Sequence, residues 1–302
     1  MNEPRPSAKN AEDTCWATKL GQSESPHPSV VWHYTNLSGL LGIVQSNEIW
    51  ASSPSCLNDE SEFHFGEALI RDAWVRENSS GRYSEAQVRS VSMALDSNLA
   101  QELTEKIYVF SCSLDGDSLN QWIHYASGQG VAIGLTPSRM EQAGASSLQT
   151  IDGQPTQTYH HVIGPGWHVV DYDGPSREEI VRSIFKFISN SEYGSGPNPF
   201  FGRTCIKHLM CSLKHPAFSA EREVRYVIER FPDNPSEKYR VSGSRLIPFV
   251  PICDQVERVP MVEVVVGPTS DPRAADSVRR LLASSGYPGV PVRRSQVPLA
   301  AT

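Results

Sequence analysis

The residues best suited to chemistry are Glu221 and Glu223, in the run His215-Pro216-Ala217-Phe218-Ser219-Ala220-Glu221-Arg222-Glu223-Val224-Arg225-Tyr226-Val227-Ile228. Side chains two apart in a strand share a face, so strand geometry through Glu221 predicts two carboxylates on one surface. Like charges held together cost free energy unless cations, solvent or a substrate share the site. Paired carboxylates suit a reaction that builds positive charge, such as breaking a glycosidic bond. The same alternation fits an edge strand whose charges face water. Arg225, two residues past Glu223, is predicted on the same face, where it would orient the carboxylate or hold a phosphate.

Other residues suggest further chemistry, each with a plainer alternative. His33-Tyr34-Thr35 ends a predicted strand just before a helix, where backbone donors point outward and ligands bind. His33 would donate to a ribose hydroxyl and Thr35 would add a polar contact; alternatively Thr35 or Asn36 caps the helix and His33 is structural. Trp122 and Tyr125 share a helix face, either to stack on an aromatic ligand or to fill the core. Gly128-Gln129-Gly130-Val131-Ala132-Ile133-Gly134 has the glycines of a dinucleotide fingerprint but places them before a strand rather than after one, which reads as a turn. Cys205, His208 and Cys211 spread over roughly a third of a helix circumference with no fourth ligand in view, so no metal site is assigned. Asp59, Glu60 and Glu62 would serve a divalent metal in a nuclease or other hydrolase, although Asn58-Asp59 also reads as a turn or cap.

The elements that must position these residues follow from periodicity. Strands are predicted at Val30–Tyr34, Ile49–Ala51, Ile107–Ser113, Gly130–Leu135, Val169–Tyr172, from Glu221 onward, Val262–Val266 and from Val290. Helices are predicted at Leu37–Val44, from Ser61 to about Glu105 with a break at Ser79-Ser80-Gly81, at Leu119–Ala126, Arg177–Ser189, Phe200–Leu213 and Ala274–Ser285. Ser191–Pro199 reads as a mobile loop. Strands and helices mix without strict alternation, which favours a single mixed α+β domain over a doubly wound sheet. Residues 1–28 are polar and proline-containing and read as a disordered or loosely packed leader, with the domain spanning 29–302.

The chain of 302 residues is 39% hydrophobic and 20% charged, as in globular proteins, and has no apolar run long enough to cross a bilayer. A net charge of -7 argues against binding nucleic acid through a broad basic face, leaving room for a local groove. The N-terminus lacks the pattern of a secretory signal, and the scattered cysteines suit a reducing, cytoplasmic compartment.

Several motifs together resemble the DUF2971 family. They are Trp32-His33-Tyr34-Thr35, Leu40-Leu41-Gly42-Ile43, Ile49 to Pro54, Leu57 to Phe63, Phe110-Ser111-Cys112-Ser113, Gln121-Trp122 with Tyr125, Gly130 to Gly134, Lys214 to Phe218 through Glu221-Arg222-Glu223-Val224-Arg225, Leu246-Ile247-Pro248, and Val264 to Pro268. Their arrangement is similar to that of ADP-ribosyltransferases, which implies a split, mostly antiparallel sheet and NAD as substrate, with no metal. By that likeness His33, Tyr34 and Thr35 hold the ribose, and Ser52 and Ser53 take the second-strand position, for which Trp50 and Tyr125 also compete. Glu223 would be the catalytic carboxylate, Glu221 its companion, and Trp122, Tyr125 and Arg225 would line the pocket. The implied reaction is transfer of ADP-ribose to a protein or nucleic-acid acceptor, as a toxin or anti-phage effector with an immunity partner. The alternatives are an NAD glycohydrolase, a non-catalytic nucleotide- or nucleic-acid-binding module, and the metal-dependent hydrolase above.

Overall fold

The computed structural model describes residues 28–54, 61–96, 99–137, 140, 166–173, 177–189, 199–229, 237–252 and 258–299. Residues 1–27 of the predicted leader, Asp59, Glu60 and residues 191–198 of the predicted loop lie outside them. The strands are β1 (Val31–Thr35), β2 (Ile49–Ser52), β3 (Ile107–Ser113), β4 (Val131–Leu135), β5 (Gly166–Val169), β6 (Glu223–Glu229), β7 (Lys238–Ser242), β8 (Arg245–Ile252), β9 (Met261–Val266) and β10 (Val292–Arg294). The helices are α1 (Leu37–Ser46), α2 (Ser61–Asn78), α3 (Glu85–Ala94), α4 (Leu99–Lys106), α5 (Leu119–Tyr125), α6 (Arg177–Ser189), α7 (Pro199–Ser212) and α8 (Ala274–Ser284), with a 3-10 turn at Pro216–Glu221.

Local chemistry explains the boundaries. Asn36 caps α1, its Oδ1 accepting from the Gly39 amide at 2.7 Å, and Asn47 ends the helix in the left-handed region. Ser84 and Gln87 form a reciprocal capping box at the start of α3. The β-branched and aromatic run of β3 pairs along its full length with β6.

Among the described residues ten strands form one sheet, in the order β10-β9-β4-β1-β3-β2-β8-β7, with β6 and then β5 joined to β3. Its named strands pair antiparallel except β9 with β10. This is the expected α+β domain with a mixed, mostly antiparallel sheet. β6 occupies one edge of β3 from Ile107–Glu229 to Ser113–Glu223. Both β1 and β2 must therefore use the other edge, and each does so at one residue pair, Trp32–Ser113 and Ser52–Val109. The sheet forks there into a β1-β4-β9-β10 wing and a β2-β8-β7 wing.

The pleat assigns side chains to layers. Val31, Ile133, Phe110, Cys112, Val224 and Tyr226 pack on one face with α1 and α8. Val109 and Val227 pack on the other with α2, α3, α4, α6 and α7, while α5 covers Tyr34, Ala132 and Val265 on that second face of the first wing. No helix among the described residues is long and apolar enough to cross a membrane.

Three expectations need correction. Glu221 closes the 3-10 turn and Arg222 adopts φ 46, so strand geometry begins at Glu223. β6 is no edge strand, because β3 and β5 flank it and Glu221 and Glu223 are buried. The strand expected at Val169–Tyr172 lies upstream, where Gly166–Val169 pairs with β6; beyond it only an isolated bridge joins Asp171 to Leu213.

Candidate active site

Two carboxylates enter the site by different routes. The left-handed Arg222 reverses the chain between Glu221 and Glu223, yet both side chains converge on Lys214, whose Nζ lies 2.6 Å from Glu221 Oε2 and 3.0 Å from Glu223 Oε2. Lys214 follows α7 and also reaches Glu62 Oε1, in the first turn of α2, at 2.7 Å. Arg225 shares the face of Glu223, as strand alternation requires. Its Nε and Nη2 grip the two oxygens of Glu223 at 2.7 and 2.8 Å, Nη2 meets Glu62 Oε2 at 2.5 Å, and Nη1 donates to the Cys211 carbonyl at 3.0 Å. Phe63 and Phe218 lie against the two cations. The fork-on-fork pairing satisfies buried charge that would otherwise be prohibitively costly.

The electrostatic consequences differ along this network. Burial opposes ionisation of Glu223, but Arg225 and Lys214 outweigh it and hold the pKa down at about 2. The Lys214 ammonium and the Arg225 guanidinium are likewise stabilised in their charged forms against burial by the facing carboxylates. Among the described residues, three carboxylates meet two cations in this cluster.

Glu221, as buried as Glu223, is the carboxylate that meets a partly exposed side chain. Tyr125, 38% exposed on α5, donates its hydroxyl to Glu221 Oε1 at 3.1 Å. The Glu221 carbonyl accepts from Ser113 Oγ at 2.8 Å and Gln121 Nε2 at 3.2 Å, which fixes the turn against β3 and α5. Tyr172 accepts the Glu223 amide at 2.8 Å. Burial and the neighbouring carboxylates raise both phenols, Tyr172 to about 12, so both remain protonated donors at neutral pH.

His33 stands elsewhere. In register with Ile133 it belongs to the α1/α8 face, whereas Glu223, in register with Ser113, belongs to the other. One ladder step past Trp32–Ser113, Tyr34 would face Ser111; instead His33 Nδ1 meets the Ser111 carbonyl at 3.1 Å, and the ring packs on Phe110 at 4.6 Å. The imidazole thus fills the fork. A carbonyl only accepts, so the proton sits on Nδ1 and Nε2 carries a lone pair. Burial, aided by the charge of Arg240, lowers the His33 pKa to about 4, and the ring is neutral. Ser111 links the two faces, because its hydroxyl donates to Glu223 while its carbonyl meets His33.

The remaining candidates separate into structural and accessible groups. Tyr34 is buried, its hydroxyl donating to the Asp115 carbonyl and accepting from the Ser118 amide, both at 2.9 Å. Thr35 packs against Gly39, where Asn36 rather than Thr35 makes the cap. Trp122 is fully buried, edge-on to Tyr34, with its Nε1 on Asp117, so core packing holds for it and surface exposure for Tyr125. Ser52 and Ser53 are buried at the end of β2, and Ser52 Oγ accepts from Arg240 on β7 at 3.3 Å. Cys205 and Cys211 are buried thiols, while His208 faces His168 at 3.4 Å. Glu62, weighed as a metal ligand, is instead an ion-pair partner of Lys214 and Arg225.

Lys214, Tyr172, Ser111 and Arg240 were not singled out as site residues. The signal for Lys214 was available, since a carboxylate pair needs a cation and Lys214 precedes it in the same run. Tyr172, just past the isolated Asp171–Leu213 bridge, and Arg240, brought in by the β7–β8 pairing, carry no such mark. No curated protein and no solved structure matches the chain. Residues 121–226, which include Tyr125, Lys214, Glu221, Glu223 and Arg225, match DUF2971, a family described as a protein of unknown function.

Proposed function

We propose that the chain is an ADP-ribosyltransferase-like enzyme that breaks the nicotinamide–ribose bond of NAD and passes ADP-ribose to a macromolecule. The observation carrying this reading is the buried cluster of three carboxylates on two cations, with Glu221 held by Lys214 and by the partly exposed Tyr125. Nicotinamide leaves as a neutral base and its departure leaves positive charge on the ribose. A fixed carboxylate stabilises that charge strongly where water is reduced, and no metal is needed.

In this scheme Glu221 faces the anomeric carbon and receives the proton of the incoming nucleophile. Lys214 and Tyr125 fix one oxygen each. Glu223, already saturated by Arg225 and Lys214, positions Lys214 rather than reacting. His33, which register places on the other face of the sheet, is not part of this scheme. With water as nucleophile the product is free ADP-ribose, the glycohydrolase outcome. Either activity drains cellular NAD, which is the basis for a toxin or anti-phage role and for an immunity partner.

A second reading, a non-catalytic nucleotide-binding module, is favoured by the complete internal pairing of Glu223. Both are tested by measuring nicotinamide release from NAD, with and without protein and nucleic-acid acceptors, for the parent, Glu221→Gln and Glu223→Gln. The enzyme reading expects release by the parent and its loss in Glu221→Gln. A parent that binds NAD without releasing nicotinamide supports the module.

A further inference from the structure

Arg222 stands between the two site carboxylates, and the fold uses its backbone alone. With φ 46° and ψ 47° it lies in the left-handed region, where a side chain costs free energy that glycine does not. The other described residues that carry a side chain at positive φ are Asn47 and Ser127, both short and polar. The Arg222 amide donates to the Ser219 carbonyl at 3.2 Å, and its carbonyl accepts from the Leu114 amide at 2.8 Å. Glycine would supply both bonds without the strain. The side chain is exposed, and among the described residues its guanidinium makes no hydrogen bond or ion pair. Lys214 and Arg225 differ from it: both are buried and engaged by carboxylates. A long charged side chain kept in a strained backbone, with nothing in the fold holding it, points to a ligand.

We propose that Arg222 binds the diphosphate of a dinucleotide at the carboxylate site. The proposal deepens the NAD reading and rests on it for the identity of the ligand. Carboxylates repel a diphosphate, so a ligand that brings one to Glu221 needs a cation that is still open. A guanidinium presents five N–H donors in a planar fork and pairs with phosphate oxygens two at a time. Consecutive Cα atoms lie about 3.8 Å apart, so the arm of Arg222 starts beside Glu221. Its starting point is fixed on both sides. Ser113 and Gln121 hold the Glu221 carbonyl, and Tyr172 holds the Glu223 amide. The turn thus turns one residue outward to solvent while its two neighbours converge on Lys214.

The test is calorimetric titration of the full chain with ADP and, separately, with inorganic pyrophosphate, for the parent, Arg222→Gly and Arg222→Lys, with urea unfolding of each. Arg222→Gly should unfold at no lower urea concentration than the parent, because relief of the left-handed strain offsets the added freedom of the unfolded chain. Binding of both probes should weaken by about tenfold or more in Arg222→Gly. Arg222→Lys, which keeps a point charge without the fork, should lose less. The preference in kcat/KM for NAD over nicotinamide riboside, which has no phosphate, should fall by a similar factor in Arg222→Gly. A parent that binds neither probe, or an Arg222→Gly that binds both as the parent does, overturns the subsite. An Arg222→Gly that unfolds at lower urea also overturns it, since the side chain would then serve the fold. ADP binding through Arg222 without nicotinamide release would keep the subsite and reject catalysis. Release with an unchanged preference for NAD in Arg222→Gly would keep catalysis and reject the subsite.

Discussion

Glu221 and Glu223 share Lys214, yet replacing each should have different consequences. Glu223→Gln leaves a buried guanidinium and ammonium short of their principal partner, and removing one member of such a pair typically costs about 3 kcal/mol. Urea unfolding should register that loss. Glu221→Gln removes one carboxylate while Lys214 keeps Glu62 and Glu223, so its cost should be smaller, about 1 kcal/mol, with nicotinamide release abolished. Equal destabilisation by the two variants would refute this division of labour. At this scale the sequence was legible where spacing alone decides. Glu223 and Arg225 share a face because they are two apart in a strand. The convergence of Glu221 was anticipated for the wrong reason, since a left-handed Arg222, not continued pleating, brings it about. Glu62 came from a helix far upstream, and nothing local in the sequence announces a contact across 163 residues.

At the scale of elements, close approach of backbones governs the link from α5 to β4. A methyl on Gly130 would lie 2.1 Å from the Thr35 carbonyl oxygen and 2.9 Å from Ala126 Cβ. Gly130→Ala should therefore push β4 from β1 and cost about 3 kcal/mol, seen as a lowered unfolding midpoint. An unchanged midpoint would show that the strands yield freely. The reading of this glycine segment as a turn was correct, because glycines ahead of an apolar run indicate chain reversal rather than a helix start. Most strongly periodic elements were likewise legible, β3 and α6 to the residue. The β7–β8 hairpin was not. Pro248 and Pro251 interrupt β8, and proline ordinarily argues against an interior strand because it cannot donate to the ladder. Tertiary pairing with β2 and β7 overrides that local signal.

For the whole molecule, acid should weaken the fold in two windows. Burial lowers His33 and His208 to about 4 and His168 to about 3, from 6.5. The unfolded chain therefore binds protons that the folded chain refuses as pH falls below 6.5, and stability falls with it. Each histidine contributes a loss of about 2 kcal/mol between pH 7 and pH 5. The second window opens from 4.5 down to about 2, where Glu223 protonates in the unfolded chain first. Urea unfolding at pH 7, 6 and 5 measures the first window; a flat profile would mean that these rings take up protons without cost. The α+β class was legible from the mixture of periodicities, but the face each wing presents was not, because strand order is set by pairings far apart in the chain. The junction of the wings has one more consequence. β3 resembles the spine of a book, its two covers hung at Ser113 and Val109 by single residue pairs. A cover attached at one point tilts without tearing a ladder. The width of the opening is then set by what stands inside it, which makes the imidazole of His33 a spacer.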